Sequence, residues 1–378
     1  MENRLMQQWK IKDLKGVGDV ELSLDASKRV FVFFGSNGVG KTKTLEALFH
    51  MLLAQTKIND FGAWIQENDY IAKSISLDEN VLSFHKSENG VYLPDVFKSV
   101  RDDVYLSAAY LGAKNRSSSD KDSKHNKKSI GSFEARQAEY FELIAYALAC
   151  NMLPKLGMNQ DIHQWFVERA QSVNPYQKSE DNRQIDIDTV LSALNTLDNR
   201  IGKTLNVDGD DNVYLTIEGQ ETELNQLSSG FISVVKIIQA IVSAYSAFTN
   251  EQDLLNVKGV VLIDEIESHL HVEWQTRIIP TLKKLFPKTT FYIATHSPLV
   301  LSQLDEGEAY LLKREEDGVV RSHVIDSPNK RILANVLRDT FNIDLNALKR
   351  ESMQDSDQTL AKNRLLTLLR NPAGETDE

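Results

Sequence analysis

Apolar and polar residues alternate along 10–25 around a glycine-containing turn, which predicts two strands of a hairpin. The next segment, RVFVFF at 29–34, is continuously apolar and bounded by Gly35. Such a run fits a strand covered on both faces, as in a parallel sheet. The period then changes, with Leu45, Leu48, Phe49 and Leu52 at helical spacing. Residues 58–110 are mixed, with short strands predicted around 81–84 and 104–106. The stretch 132–202 is helical in pattern, punctuated by Pro154 and Pro175. A turn at 208–211 precedes the alternating strand VYLTIEG, and a helix begins again near Gly230. VKGVVLIDE and TTFYIATHS are two more buried strands, separated by the amphipathic helix HVEWQTRIIPTLKKLF. EAYLLKRE and VVRSHVI form a strand pair, and the tail from Asn329 reads as helix.

Strands alternating with helices predict an α/β fold built on a mostly parallel sheet with both faces covered. Ligands in such sheets bind beyond the carboxyl ends of the strands. The expected division is 1–113 and 205–328 as two halves of one α/β head and 114–131 as a basic loop. Residues 132–204 are expected to be an all-helical insertion, and 329–378 a helical tail.

Composition narrows the setting. The 378 residues are 41% hydrophobic and 26% charged, as in ordinary globular chains. One cysteine, Cys150, cannot form a disulfide within the chain, so a reducing compartment is the default. The first ten residues are too polar for the apolar core of a signal peptide, and no run approaches the ~18 apolar residues of a membrane span. A cytoplasmic protein with no membrane partner is the expectation. The net charge of −11 makes the molecule as a whole repel nucleic acid. Against that background 114–129 carries six Lys/Arg and two Asp, which fits a solvated loop or a local nucleic-acid contact.

Three motifs carry chemistry, each at a predicted strand end or helix start. GSNGVGKT fits the phosphate-loop pattern G-x-x-x-x-G-K-[ST] between a buried strand and a helix. Its glycines, Gly35, Gly38 and Gly40, let backbone N–H groups turn toward phosphate oxygens, and the helix adds its positive N-terminal end. The candidate ATP-phosphate residues are Gly35, Ser36, Asn37, Gly38, Val39, Gly40, Lys41, Thr42 and Thr44. Lys41 is expected to reach the β- and γ-phosphates and the Thr42 hydroxyl to ligate Mg²⁺. VVLIDE places Asp264 as the second Mg²⁺ residue, acting through water, and Glu265 as the base that orients and deprotonates the attacking water. In LSSGF, Ser228, Ser229 and Gly230 start a helix, where hydroxyls and free N–H groups make either a simple cap or an anion site.

The order GSNGVGKT, LSSG, VVLIDE and then THS resembles the ABC-type ATPase heads. Within that superfamily, IDEIESHLHVEWQ and ATHSPLVL resemble the OLD group. The ATPase domains of that group serve overcoming-lysogenization-defect nucleases and anti-phage systems such as Septu and PARIS. The resemblance covers about 1–56 and 220–325. It implies an ABC-type P-loop NTPase head with an antiparallel β subdomain, ATP and Mg²⁺ as cofactors, and a homodimer or higher homo-oligomer sandwiching ATP. It also implies that Ser228, Ser229 and Gly230 meet the γ-phosphate held by the opposite subunit, and that His296 senses that phosphate. His269, His271 and Glu267, which look like a metal cluster, would then line the dimer interface instead.

The sequence departs from the family pattern in three places. Phe231 stands where the signature has Gln, no Q-loop glutamine occurs at 110–116, and the nucleotide-stacking aromatic is unassigned, with Trp9 a candidate. These departures suggest slow hydrolysis with ATP acting mainly as a clamp. Asp355 and Asp357 have the spacing of a nuclease D-x-D, but their surroundings are polar helix, so a separate nuclease effector is expected. Any nucleic-acid contact would then be indirect or through that partner. The alternatives are a RecF-like DNA-repair ATPase acting directly on DNA, and a transporter nucleotide-binding subunit.

Overall fold

The computed structural model describes residues 6–54, 71–86, 92–97, 107–113, 130–158, 160–174, 176, 178, 181–268 and 270–330. The expected basic loop at 114–129, the strand at 104–106, His269 and the tail from 331 lie outside them.

The hairpin predicted at the start is β1 (Met6–Leu14) and β2 (Gly18–Asp25), paired antiparallel. The run 29–34 contains β3 (Val30–Phe34), buried along its whole length, and feeds α1 (Lys41–Ala54). β4 (Ser74–Leu77), β5 (Asn80–Lys86) and β6 (Tyr92–Phe97) continue outward from β1 as antiparallel neighbours. β7 (Ser107–Leu111) is fully buried. It precedes the helices α2 (Phe133–Ala149), α3 (Ile162–Ser172) and α4 (Gln184–Leu197).

After them, β8 (Ile201–Val207), β9 (Val213–Ile217) and β10 (Gln220–Glu223) form a separate three-stranded sheet. β8 corrects the expectation of helix to residue 202, and the expected domain boundary at 204/205 falls inside this strand. Isolated, β8 has no strong period, because only Ile201 of it is buried; pairing with β9 makes it a strand.

The chain returns through α5 (Ser229–Phe248) and the buried β11 (Gly259–Ile263). The single amphipathic helix expected at 271–286 is two, α6 (Val272–Gln275) and α7 (Ile278–Leu285). Pro280 explains the break: its ring would meet the carbonyl of residue 276 in a continuous helix, but it is tolerated in a new first turn. β12 (Thr289–Ala294), α8 (Pro298–Leu301), β13 (Ala309–Arg314) and β14 (Val320–Val324) complete the described chain.

The large sheet has the order β6-β5-β4-β1-β2-β14-β13-β3-β12-β11-β7. From β13 to β7 every pairing is parallel, as the continuous apolar runs require. The hairpin half is antiparallel and is continuous with the parallel half through β14. The antiparallel subdomain is therefore an extension of the main sheet. α5 is long and apolar enough to cross a membrane, but 78% of its apolar window is buried in this fold, where it packs beside β7 and α4.

Candidate functional site

The crossover from β3 to β12 and on to β11 puts the ends of three adjacent parallel strands side by side, and each end carries a motif. Gly35 leaves β3 at φ 150, and a Cβ there would lie 2.7 Å from the Leu312 carbonyl oxygen of β13. Gly40 has φ 109, and its Cβ would stand 2.6 Å from Val17 in the β1–β2 turn. Only glycine fits at these two positions, so the loop is held down between β13 and the hairpin. Ser36, Asn37 and Gly38 are exposed at its crest, while Val39 is buried under it.

Lys41 is buried and folds back, its Nζ donating to the carbonyls of Gly35 (2.8 Å) and Ser36 (3.0 Å). Burial pushes its ammonium down to about 8, against the opposing pull of Asp264, Glu267 and Glu265. The Thr42 hydroxyl lies 3.0 Å from each carboxylate oxygen of Asp264. Thr44 is different: it is fully buried, and its N–H donates to the Gly40 carbonyl at 2.8 Å. Its amide is thus used within the first helical turn, and its side chain lies in the core.

β11 ends at Ile263, and Asp264 follows it, 2% exposed, its N–H donating to the Leu111 carbonyl at the end of β7 (2.9 Å). Glu265 follows at φ 46, a left-handed conformation that costs a non-glycine residue energy and is found where the fold imposes it. Its carboxylate accepts from the Ser268 hydroxyl at 3.0 Å. β12 ends at Ala294, and Thr295 and His296 follow it. Glu267 binds both: its two oxygens accept from the Thr295 hydroxyl (2.5 Å) and the His296 N–H (2.6 Å). Burial and the neighbouring Lys41 hold the His296 imidazolium below its ordinary range, with Glu267 and Glu265 opposing.

The sequence offers Glu267 as part of an apparent metal cluster or, by the resemblance, of a dimer interface; its role as an anchor for the β12 loop depends on a contact 28 residues away. Gln275 was also missed. Its side chain accepts from Ser297 Oγ (2.8 Å) and donates to the Leu270 carbonyl (2.9 Å), tying α6 to the same loop. Among the described residues no group of three or more His, Cys, Asp or Glu is arranged for a metal.

The LSSG turn is built as a cap. Ser228 Oγ accepts from the Phe231 N–H at 3.3 Å, and both Ser228 and Ser229 are exposed. Gly230 lies against His271, where a Cβ would be 2.7 Å from the imidazole Cδ2. Phe231, in place of the signature Gln, packs near Trp274 with ring centroids 6.5 Å apart. Trp9 is corrected: it is fully buried in the core, edge-on to Tyr292 at 6.1 Å, and cannot stack on a nucleotide. The period-two pattern of β1 left its face open, and pairing with β2 and β4 turned it inward.

The donors present suit a nucleotide's phosphates and Mg²⁺. Hard oxygens of Thr42 and Asp264 converge beside a glycine cradle and an ammonium that donates to backbone carbonyls. These donors at adjacent strand ends make a P-loop nucleotide-binding head.

The Septu protein PtuA of Bacillus mycoides (strain KBAB4) is 37% identical over 105 residues, 28% of this chain and 14% of that protein. The "Retron Ec83 probable ATPase" of Escherichia coli is 40% identical over 89 residues, 23% of this chain and 16% of that protein. Both matched stretches thus span under a fifth of the relative's own length. A Septu protein PtuA of Bacillus thuringiensis is 25% identical over 343 residues, 84% of this chain and 79% of that protein. Among solved structures, the SMC head domain from Thermotoga maritima aligns with TM-score 0.40 and 15% identity, covering 85% of this chain and 99% of that one. Residues 30–302 match the family model described as "AAA domain, putative AbiEii toxin, Type IV TA system", and the chain belongs to that family.

Proposed function

We propose that this chain is an ATP-binding switch subunit: two copies close around ATP and thereby control a separate effector, a nuclease, in anti-phage defence. One observation carries the reading. Lys41, Thr42, Asp264, Glu265 and His296 line adjacent strand ends, while Ser228 and Ser229 are exposed at a helix start beside His271, with Ser228 Oγ capping the Phe231 N–H. An exposed helix N-terminus with two hydroxyls is a ready partner for a phosphate held by another subunit. The relatives' names, Septu and retron ATPases, support the defence setting.

In this mechanism Lys41 exchanges the Gly35 and Ser36 carbonyls for phosphate oxygens. Thr42 and Asp264 would hold Mg²⁺, which would neutralise charge at the phosphates. Glu265, oriented by Ser268, takes the proton from water. Glu267 fixes the backbone of His296, whose ring would sense the terminal phosphate. Closure is driven by ATP because the nucleotide binds the closed pair better than the open one. Glu265→Gln is the test: analytical ultracentrifugation should show a dimer that accumulates with ATP and Mg²⁺ and persists. Assembly indifferent to ATP in both wild type and variant would overturn the clamp. Turnover stimulated by DNA, with no partner protein, would favour the RecF-like alternative.

A further inference from the structure

The helices between β7 and β11 enclose a cavity that the ATP chemistry leaves unused. It measures ≈ 340 Å³ and is walled by Arg136, Arg169, Tyr140, Leu143, Ser243 and Ser246, from α2, α3 and α5. A second hollow of ≈ 110 Å³ shares Tyr140, Leu143 and Ser243 and extends to Tyr110 and Leu111 at the end of β7. Together they fall within the ~300–1,000 Å³ of small-molecule sites.

The charge beneath this cavity is unbalanced. Arg136 and Arg169 are 7% exposed, Arg183 1% and Asp186 0%. Asp186 serves both Arg169, at 3.1 Å, and Arg183. Around them, among the described residues, Asp186 is the one carboxylate as deeply buried as these three guanidiniums, with the half-buried Asp181 and Glu168 acting from further out. Arg136 donates through Nη1 to the Gly131 carbonyl (3.2 Å) and through Nη2 to Asn250 Oδ1 (2.8 Å). Its buried Nε has no partner among the described residues. Burial, aided by Arg183, pushes this guanidinium down to about 10, while Asp186 and Asp181 oppose. A guanidinium N–H buried without an acceptor is costly and leaves this charge incompletely compensated. Two further carboxylates face the cavity: Glu168, half-buried and held by Gln164 Nε2 at 2.9 Å, and the exposed Glu139. Water reaches both and screens them more than the arginines.

We propose that this cavity binds a small organic anion, with its charged group on Arg136 and Arg169 and its apolar body along Tyr140 and Leu143. Glu139 and Glu168 favour a singly charged ligand over a triphosphate, so the site is distinct in chemistry from the phosphate loop. The probe is 8-anilinonaphthalene-1-sulfonate, titrated into the full chain by fluorescence and calorimetry, with the neutral N-phenyl-1-naphthylamine alongside.

One saturable sulfonate site is expected. Arg136→Gln and Leu143→Glu should each weaken it by about tenfold or more, and Lys41→Ala should leave it unchanged. Leu143 is 46% exposed, so its variant keeps the fold and serves if Arg136→Gln does not. Equal binding of the neutral amine, loss of binding in Lys41→Ala, or indifference to Leu143→Glu overturns the proposal.

Discussion

Replacing Gly230 by alanine separates stability from ATP-driven closure. The residue lies in the first turn of α5 in ordinary helical conformation, so alanine should gain ~0.5–1 kcal/mol of helix stability. Its new Cβ would stand 2.7 Å from His271 Cδ2, 3.0 Å from Cβ and 3.1 Å from Cγ. Apolar contacts settle at ~3.5–4.0 Å, so the imidazole must retreat by about 1 Å. His271 is exposed and can move at little cost in stability. It cannot move alone, however. Its carbonyl accepts from the Gln275 N–H at 3.0 Å, and Gln275 is bonded to Ser297 in the loop that carries His296.

We expect the melting temperature to stay within about 2–4 °C of wild type. ATP-dependent association, read by sedimentation, should fall by about tenfold, or ~1.4 kcal/mol. The companion change is His271→Gly rather than alanine, because the His271 Cβ itself is one of the close atoms, and glycine is tolerated at this helix start. The double variant should recover association, giving a coupling energy from the cycle. Wild-type association in Gly230→Ala, or no recovery in the double variant, would refute this account of the turn.

Three further outcomes follow from the site and its surroundings. Thr42→Val keeps the volume but removes the hydroxyl facing Asp264, so Mg²⁺-dependent ATP affinity by calorimetry should drop ~10–100-fold, while Thr42→Ser retains it. Lys41, at about 8 in the fold against 10.5 ordinarily, binds fewer protons when folded between those values, so its contribution to stability rises with pH across that window. Phosphate requires the charged form; ATP affinity should therefore fall above pH 8 or so, and binding near ~pH 9 should take up a proton, measurable in buffers of different ionisation heat and absent in Lys41→Ala. Asp186→Asn leaves Arg169 and Arg183 buried without their anion and should cost ~3–5 kcal/mol in denaturant unfolding; a loss below about 1 kcal/mol would refute the buried-charge reasoning.

Local chemistry was legible without a structure. GSNGVGKT between an apolar run and a helical period, VVLIDE, and the LSSG cap are each defined by consecutive residues, whose backbone geometry neighbours alone largely dictate. The hairpin, the buried strands and the strand pair were equally plain, because periods of two and 3.6 encode which faces meet a core. Decisions that depend on partners distant in sequence were not legible. β8 became a strand only by pairing with β9, and Trp9 turned inward only when β4 joined β1. Thr44 went to the core, and Glu267 found Thr295 and His296 rather than a metal. The surplus of buried arginine around Asp186 gathers residues from three helices, so no window of sequence contains it. Motif and period are properties of the chain's own short-range geometry; burial, pairing and charge balance are properties of what folding brings alongside, and only the tertiary structure decides them.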